Sequence, residues 1–209
     1  LTASSVTFGT RVSALGSDIN LTVTGNMTTT GDFQSAPSAT FGTLSVSGTS
    51  AIGADITTNS TQTYTGAVTL SANSTMTTDN SNIIFGSTLN SASSTARRLA
   101  PNVGTGVVQF SGEVGATQAL GLIDITGGLD LDANITGAAG LTVSSTSNLG
   151  ANVTTSGNQT YTGRATLSSN VTLAGLNVNF GGQIIGGSNA LTVTGNFDLD
   201  GAASGITNL

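Results

Sequence analysis

Four aspartates form two pairs that could bind a cation or act in acid–base chemistry. Asp130 and Asp132 are separated by one residue, and so are Asp198 and Asp200. On a β-strand, this spacing places both carboxylates of a pair on the same face. Such a pair could supply oxygen ligands to Ca²⁺ or the acid and base of a glycoside hydrolase. We favour a third interpretation, a solvated outer face whose intervening leucines point into the core.

The residue types of most other active sites are missing. The chain has no His and no Cys, which excludes Ser–His and Cys–His nucleophile pairs and imidazole or thiolate metal ligands. With two Tyr and no Trp, it also lacks the aromatic platforms expected of a polysaccharide-cleaving groove. The Gly pairs at 181–182 and 186–187 lack the Lys-Ser/Thr of a phosphate-binding loop. We therefore predict no catalytic residues, no cofactor and no enzymatic activity, with the four aspartates as weak calcium candidates.

Charge and hydropathy restrict the possible partners. Only 7% of the 209 residues are charged, against about 25% in ordinary soluble domains. Ten acidic residues outnumber four arginines and give a net charge of −6. Nucleic acid is not an expected partner, because phosphate neutralisation requires a basic stripe. No apolar run is long enough to predict a transmembrane helix.

Short alternating segments predict an all-β fold. In LTVTGN (21–26) and NFDLDG (196–201), apolar residues occupy every second position, as in half-buried strands. Gly, Asn, Asp and Ser separate such segments and favour turns. These turn signals recur about every four to six residues, whereas sandwiches and barrels turn about every 8 to 12. Frequent turns favour short strands wound into a coil.

An internal repeat supports this interpretation. Residues 44–58 (LSVSGTSAIGADITT) match residues 141–155 (LTVSSTSNLGANVTT), and the same offset of 97 aligns QTYTG at 62–66 with QTYTG at 159–163. Repeats of this kind are typical of solenoids. The sequence also contains a smaller unit of about 15 to 20 residues, which we take as one coil.

A second motif, VTFG at 6–9, IIFG at 83–86 and VNFG at 178–181, indicates that the repeat is interrupted. Its Phe recurs at Phe8, Phe85 and Phe180, with spacings of 77 and 95 that differ by 18, or about one coil. We expect these residues, together with Tyr64 and Tyr161, to stack or to fill corners of the core.

These patterns predict a single parallel β-solenoid of about eleven coils of 15–20 residues, each with three short strands. Residues 1–209 would form one segment with large units at about 5–82 and 83–177 and a partial unit at 178–209. Neither terminus has a polar cap, so we expect an excerpt of a longer chain or ends covered by neighbouring subunits.

One stretch interrupts the strand pattern. Residues 97–101 (RRLAP) contain Arg97 and Arg98 side by side, and Pro101 cannot donate a ladder hydrogen bond. We predict a protruding loop here.

QTYTG followed by AVTLSANSTMT or by RATLSSNVTLA, the Phe-Gly motifs and VQFSGEVGATQALG at 108–121 resemble the repeats of filamentous haemagglutinin-like bacterial surface proteins. The resemblance implies a right-handed parallel β-helix, secretion to the cell surface, and a role as an adhesin, fibre or stalk. Its expected partners are neighbouring solenoid segments or identical subunits end to end, and host or cell-surface carbohydrate or protein.

Two other functions stay open. The first is a module that binds carbohydrate, calcium or ice, which continuous Thr-x-Thr columns over several coils would favour. The second is a phage tail-spike or other polysaccharide-degrading β-helix, which requires acidic residues that converge in a groove.

Overall fold

The computed structural model describes residues 2–14, 16, 18–34 and 40–208. The described residues form 23 β-strands and no helix. The strands in chain order are β1 (Thr2–Phe8), β2 (Val12–Ser13), β3 (Ile19–Thr29), β4 (Phe33–Gln34), β5 (Phe41–Val46), β6 (Ser50–Ile52), β7 (Ile56–Thr57), β8 (Gln62–Tyr64), β9 (Val68–Leu70), β10 (Ser74–Thr77), β11 (Ile83–Phe85), β12 (Leu89–Ser91), β13 (Leu99–Phe110), β14 (Leu120–Leu131), β15 (Ile135–Val143), β16 (Ser147–Leu149), β17 (Val153–Thr155), β18 (Gln159–Tyr161), β19 (Ala165–Leu167), β20 (Val171–Phe180), β21 (Ile184–Asn189), β22 (Leu191–Leu199) and β23 (Ala203–Ile206).

These strands stack in parallel as three ladders, which we name faces A, B and C in the order in which each coil visits them. Face A consists of residues 21–23, 44–46, 62–64, 83–85, 108–110, 129–131, 147–149, 165–167, 184–185 and 203–204. Face B consists of residues 6–8, 27–29, 50–52, 68–70, 89–91, 114, 135, 153–154, 173–174 and 193–194. Face C consists of residues 12–13, 33–34, 56–57, 74–77, 99–102, 123–125, 141–143, 159–161, 178–180 and 197–199. The predicted parallel β-solenoid with three strands per coil is confirmed.

The number of coils is close to the prediction, but some coils are longer than predicted. Leu44 pairs with Gln62, 18 positions later, but Ile83 pairs with Val108, 25 positions later. The solenoid makes about ten turns rather than eleven. The longer coils exceed the predicted length because segments outside the three ladders, such as residues 92–98, add residues at the corners without adding a rung.

Several long strands bend around a corner and serve two faces. Gly25, Gly127 and Gly195 lie at such bends in β3, β14 and β22, with φ values of 135°, 137° and 127°. Side chains rarely adopt these angles, and a Cβ on Gly25 or Gly195 would collide with a carbonyl oxygen of the preceding coil. The three bends occupy three different corners, A to B, C to A and B to C.

The core is a continuous column of inward side chains from all three faces. Tyr64, Phe85 and Phe110 stack on face A with centroid distances of 5.5 and 5.3 Å. Tyr161 and Phe180 stack on face C at 4.8 Å. The expected aromatic stacking is confirmed, and it occurs in separate stacks, since Phe8 lies on face B and packs edge-on against Phe33.

Corner asparagines join each coil to the next. Their side-chain oxygens accept a backbone N–H from the following coil at 2.7–3.0 Å, as in Asn26 to Thr49 and Asn152 to Thr172. Each such bond contributes about 1 kcal/mol net. The asparagines that do this are Asn20, Asn26, Asn73, Asn80, Asn82, Asn90, Asn134, Asn152 and Asn170.

The two copies of the 97-residue repeat occupy different faces. In the first copy, β5, β6 and β7 lie on faces A, B and C. In the second copy, the end of β15, then β16 and β17, lie on faces C, A and B. The offset of 97 residues therefore equals a whole number of strands around the coil but not a whole number of coils. The same local sequence can thus form a strand on each of the three faces.

The predicted loop at residues 97–101 is correct only in part. Arg97 and Arg98 end the irregular segment 92–98, and Arg98 forms an ion pair with Asp124. Pro101, however, lies inside β13 and pairs with Met76 of β10. Proline lacks only the N–H, so the strand passes through this residue while its neighbours keep the register.

Candidate functional site

The four predicted acidic residues do not converge. Asp130 lies on β14 in face A and Asp132 follows that strand, whereas Asp198 lies on β22 in face C and Asp200 follows it. No group of three or more His, Cys, Asp or Glu side chains that could hold a metal occurs within the described part of the chain. Leu131, between the first pair, is fully buried and its two neighbours point outward, as expected.

The carboxylates of the first pair accept hydrogen bonds from neighbouring coils. Asn148 Nδ2 donates to Asp130 at 2.8 Å, and Gln109 Nε2 donates to Asp132 at 2.8 Å. These contacts tie the outer surface together across three successive coils. Asp130 also lines a concave part of face A.

This concave part is an open groove of about 480 Å³ on face A, which we call the face A groove. Gln109, Asp130, Asn148 and Thr166 occupy successive rungs of one outward column, and each pairs directly with the next. Neighbouring rungs of parallel strands lie about 4.8 Å apart. The residues that line the groove are Asn82, Val107, Gln109, Leu129, Asp130, Thr146, Ser147, Asn148, Arg164 and Thr166.

Gly128 packs closely against two residues that line the groove, Val107 and Thr146. Gly128 pairs with Val107, and a Cβ added to Gly128 would lie 3.2 Å from Val107 Cγ2 and 3.4 Å from the carbonyl oxygen of Thr146. A larger side chain at this position would press against both of these lining residues. The backbone conformation of Gly128 is not left-handed, so it is the space around this residue that favours glycine.

The groove contains both signs of charge and both kinds of hydrogen-bonding group. Asp130 is half-buried and Arg164 is exposed, two rungs further along. The ion pair found among the described residues joins Arg98 to Asp124, not these two groups. Carboxylate and amide oxygens accept hydrogen bonds, whereas amide and guanidinium N–H groups donate them. The groove can therefore satisfy a ligand that carries donors and acceptors together.

Ser147 also lines the groove, but it does not contribute to it as a functional group. Its hydroxyl is buried without a hydrogen-bond partner, and so is the hydroxyl of Ser50. Ser50 occupies the equivalent position in the first copy of the repeat. The unpartnered hydroxyl is thus a property of the repeat rather than of the groove.

Two buried polar networks lie elsewhere in the core. Gln62 Nε2 donates to the carbonyl oxygens of Ile56 and Thr77 and to Thr58 Oγ1, at 3.0–3.3 Å. Gln62 Oε1 accepts the hydroxyl proton of Tyr64 at 3.0 Å. Gln62 and Tyr64 are fully buried, and burial raises the pKa of Tyr64 well above its ordinary value.

The second network repeats the first on another face. Gln159 donates to Val153 O, Thr155 Oγ1 and Ala174 O, and accepts from Tyr161 at 3.0 Å. Burial likewise raises the pKa of Tyr161. Sequence reasoning identified QTYTG as a repeat and its tyrosines as core residues, but it missed the glutamines, although their spacing of two from an inward Tyr was visible.

A second hollow, of about 370 Å³, lies near the irregular segment 92–98. Small side chains such as Ala96, Ala119 and Ala138 line much of it. It presents no charged group, so it offers less chemistry than the face A groove.

Among the described residues, the outward columns of the three faces contain no long run of threonine. On face B, Thr7 and Thr28 are followed by Ala51, and on face C, Thr142 and Thr160 are followed by Asn179. The outward column of face A consists of Thr22, Ser45, Thr63, Ile84, Gln109, Asp130, Asn148, Thr166, Ile185 and Ser204. These described columns lack the continuous threonine array that would favour an ice-binding surface.

Comparisons with known proteins found no family model, no curated protein and no solved structure that matches this chain. The part of the chain that the structure describes contains no helix long and apolar enough to cross a membrane.

Proposed function

We propose that this chain is a non-catalytic structural or adhesive segment of an extracellular fibre or stalk on a bacterial surface. The observation that carries the proposal is the ladder of parallel strands, which continues from β1 to β23 around an apolar core. Each coil contacts the coils before and after it, so stability accumulates along the axis. This architecture suits a protein that must span a distance and resist unfolding.

The chemistry of the surface supports an extended, exposed role. Hydroxyl and amide side chains hydrate the three faces, while only 7% of residues are charged. Hydration of this kind does not depend on ionic strength, because there are few charges to screen. The resemblance to filamentous haemagglutinin-like repeats favours a location at the cell surface, with neighbouring solenoid segments or identical subunits as axial partners.

A binding function for the face A groove is the second candidate. Its support is the column from Gln109 to Thr166, which places different polar groups on successive rungs. We propose binding rather than cleavage, because Asp130 is the carboxylate among the residues that line the groove, whereas glycoside hydrolysis generally uses two.

The fibre proposal can be tested on the native cells. Antibodies raised against the 209-residue chain and coupled to gold should label thin rods outside the cell in electron micrographs. Aligned rods should diffract at about 4.8 Å along their axis. Label confined to the cytoplasm would overturn the proposal, and so would surface label without rods.

A further inference from the structure

We propose that the face A groove binds a neutral oligosaccharide whose sugar units lie along successive rungs. This inference rests on the proposed surface function, since it names the ligand class of an adhesive site. The ligand would run parallel to the solenoid axis, from Gln109 towards Thr166.

The backbone of face A is paired within the ladder, so a ligand of this face must be recognised by side chains. Strands β13, β14, β16 and β19 all lie inside the ladder, and each pairs with a strand in the coil before it and in the coil after it. A peptide that adds as a strand requires a free sheet edge, which the middle of this face does not offer. The groove therefore suits a ligand that is recognised through hydroxyl groups rather than through a peptide backbone.

The side chains match the needs of sugar hydroxyls. A hydroxyl both donates and accepts, and the groove presents the carboxylate of Asp130 beside the amides of Gln109 and Asn148. The Arg164 guanidinium adds several donors at the far side. The rung spacing of about 4.8 Å is comparable with the length of a pyranose unit, so one rung can serve one sugar.

The charges in the groove favour a neutral ligand. One carboxylate and one guanidinium cancel, and the chain as a whole carries a net charge of −6. An acidic polysaccharide would be repelled by Asp130 and by the net negative charge of the protein. A neutral oligosaccharide would be repelled by neither.

The repeat contains an internal control for this chemistry. Asn148 and Arg164 of the second copy correspond to Ala51 and Ala67 of the first copy, at the same offset of 97. Thr146 and Thr166 correspond to Thr49 and Thr69 and are unchanged. The strands form in both copies, so the fold does not require the amide and the guanidinium. Asn148 Nδ2 donates to Asp130, so the groups that we assign to the ligand are the amide oxygen of Asn148 and the guanidinium of Arg164.

Isothermal titration of the 209-residue chain with neutral hexasaccharides of glucose, mannose, galactose and N-acetylglucosamine tests the proposal. At least one should bind in the micromolar to millimolar range. The double variant N148A/R164A, which restores the residues of the first copy, should weaken binding about tenfold or more, since it removes several hydrogen bonds. Gly128→Val should weaken it as well by displacing Val107 and Thr146, which line the groove.

The matched control is T142A/T160A, which removes two outward side chains of face C and should leave affinity unchanged. Circular dichroism melting should show that all variants stay folded. The inference is overturned if no neutral hexasaccharide binds at millimolar concentration, if N148A/R164A and Gly128→Val bind as tightly as the parent, or if heparin fragments bind in preference. None of these results affects the gold-labelling test, so failure of the groove and failure of the fibre are distinguishable.

Discussion

The two copies of the repeat show which properties belong to the local sequence and which belong to the position in the coil. Residues 44–70 and 141–167 share their inward pattern, their Gln-x-Tyr network and their unpartnered serine. They differ in the face that each segment occupies and in outward residues such as Ala51 and Asn148. The inward pattern is therefore sufficient to build a side of the coil, and the outward residues are free to vary with function.

The buried networks explain why the copies tolerate this shift. Each glutamine bonds to carbonyl oxygens on strands before and after it in the chain, such as Ile56 and Thr77 around Gln62. The network joins the glutamine's own side to the preceding side, in the same coil and in the next one, and this relation exists for face A and for face C alike. A local rule of this kind allows duplication of segments that are not whole coils.

The largest expected effect on stability tests whether the two copies of the repeat are equivalent. Gln62→Ala and Gln159→Ala should each destabilise the protein by about 3 to 5 kcal/mol, because each leaves a cavity and removes the partner of a buried tyrosine hydroxyl. Urea unfolding followed by circular dichroism measures the loss. Gln109→Ala, at the surface, is the control and should change stability by less than about 0.5 kcal/mol. A large loss from only one of the two buried glutamines would show that the copies are not equivalent.

The pH dependence of stability compares the two copies through their buried tyrosines. Burial raises the pKa of Tyr64 and Tyr161 above the value of about 10 for an exposed tyrosine. Above pH 10 the unfolded chain releases these protons while the folded chain keeps them, so stability is full below pH 10 and falls as pH rises further.

Phenolate absorbance can follow both residues, because the chain contains only two Tyr. The folded protein should show no tyrosine ionisation near pH 10, and both residues should titrate together when it unfolds. Tyr64→Phe and Tyr161→Phe, each with a single remaining tyrosine, should give the same curve. Ionisation of either tyrosine near pH 10 in the folded chain would contradict the buried geometry.

Much of the fold could be predicted because a solenoid repeats a simple rule. Alternation in segments such as LTVTGN predicted the strands, and the turn residues predicted their short length. The coil length was underestimated, because segments such as 92–98 add residues without adding a rung. Pro101 was placed in a loop, since its missing N–H suggested an interruption that the strand in fact accommodates.

The groove could not be predicted from the sequence. Its residues come from several coils, and Gln109 and Thr166 are separated by 57 positions. Their proximity depends on the lengths of the intervening coils, which no local motif encodes. Asp130 was identified as a candidate because of its neighbour Asp132, but its contact is with Asn148, one coil later. A comparison of outward residues between the two copies would have indicated Asn148 and Arg164 as departures from the repeat.

The smallest expected effect concerns the irregular segment that neither copy contains. Arg98 and Asp124 form an ion pair whose side chains are 45% and 36% exposed. Pairs with this exposure contribute about 0 to 1 kcal/mol, so R97A/R98A should lower stability by less than about 1 kcal/mol. Arg97→Ala alone provides the control, because Arg97 is outside the ion pair and its buried Nε has no partner. A large drop in Tm for the double variant would mean that residues 92–98 brace the coil between Ile83 and Val108, and that this longest coil depends on contacts that the two copies lack.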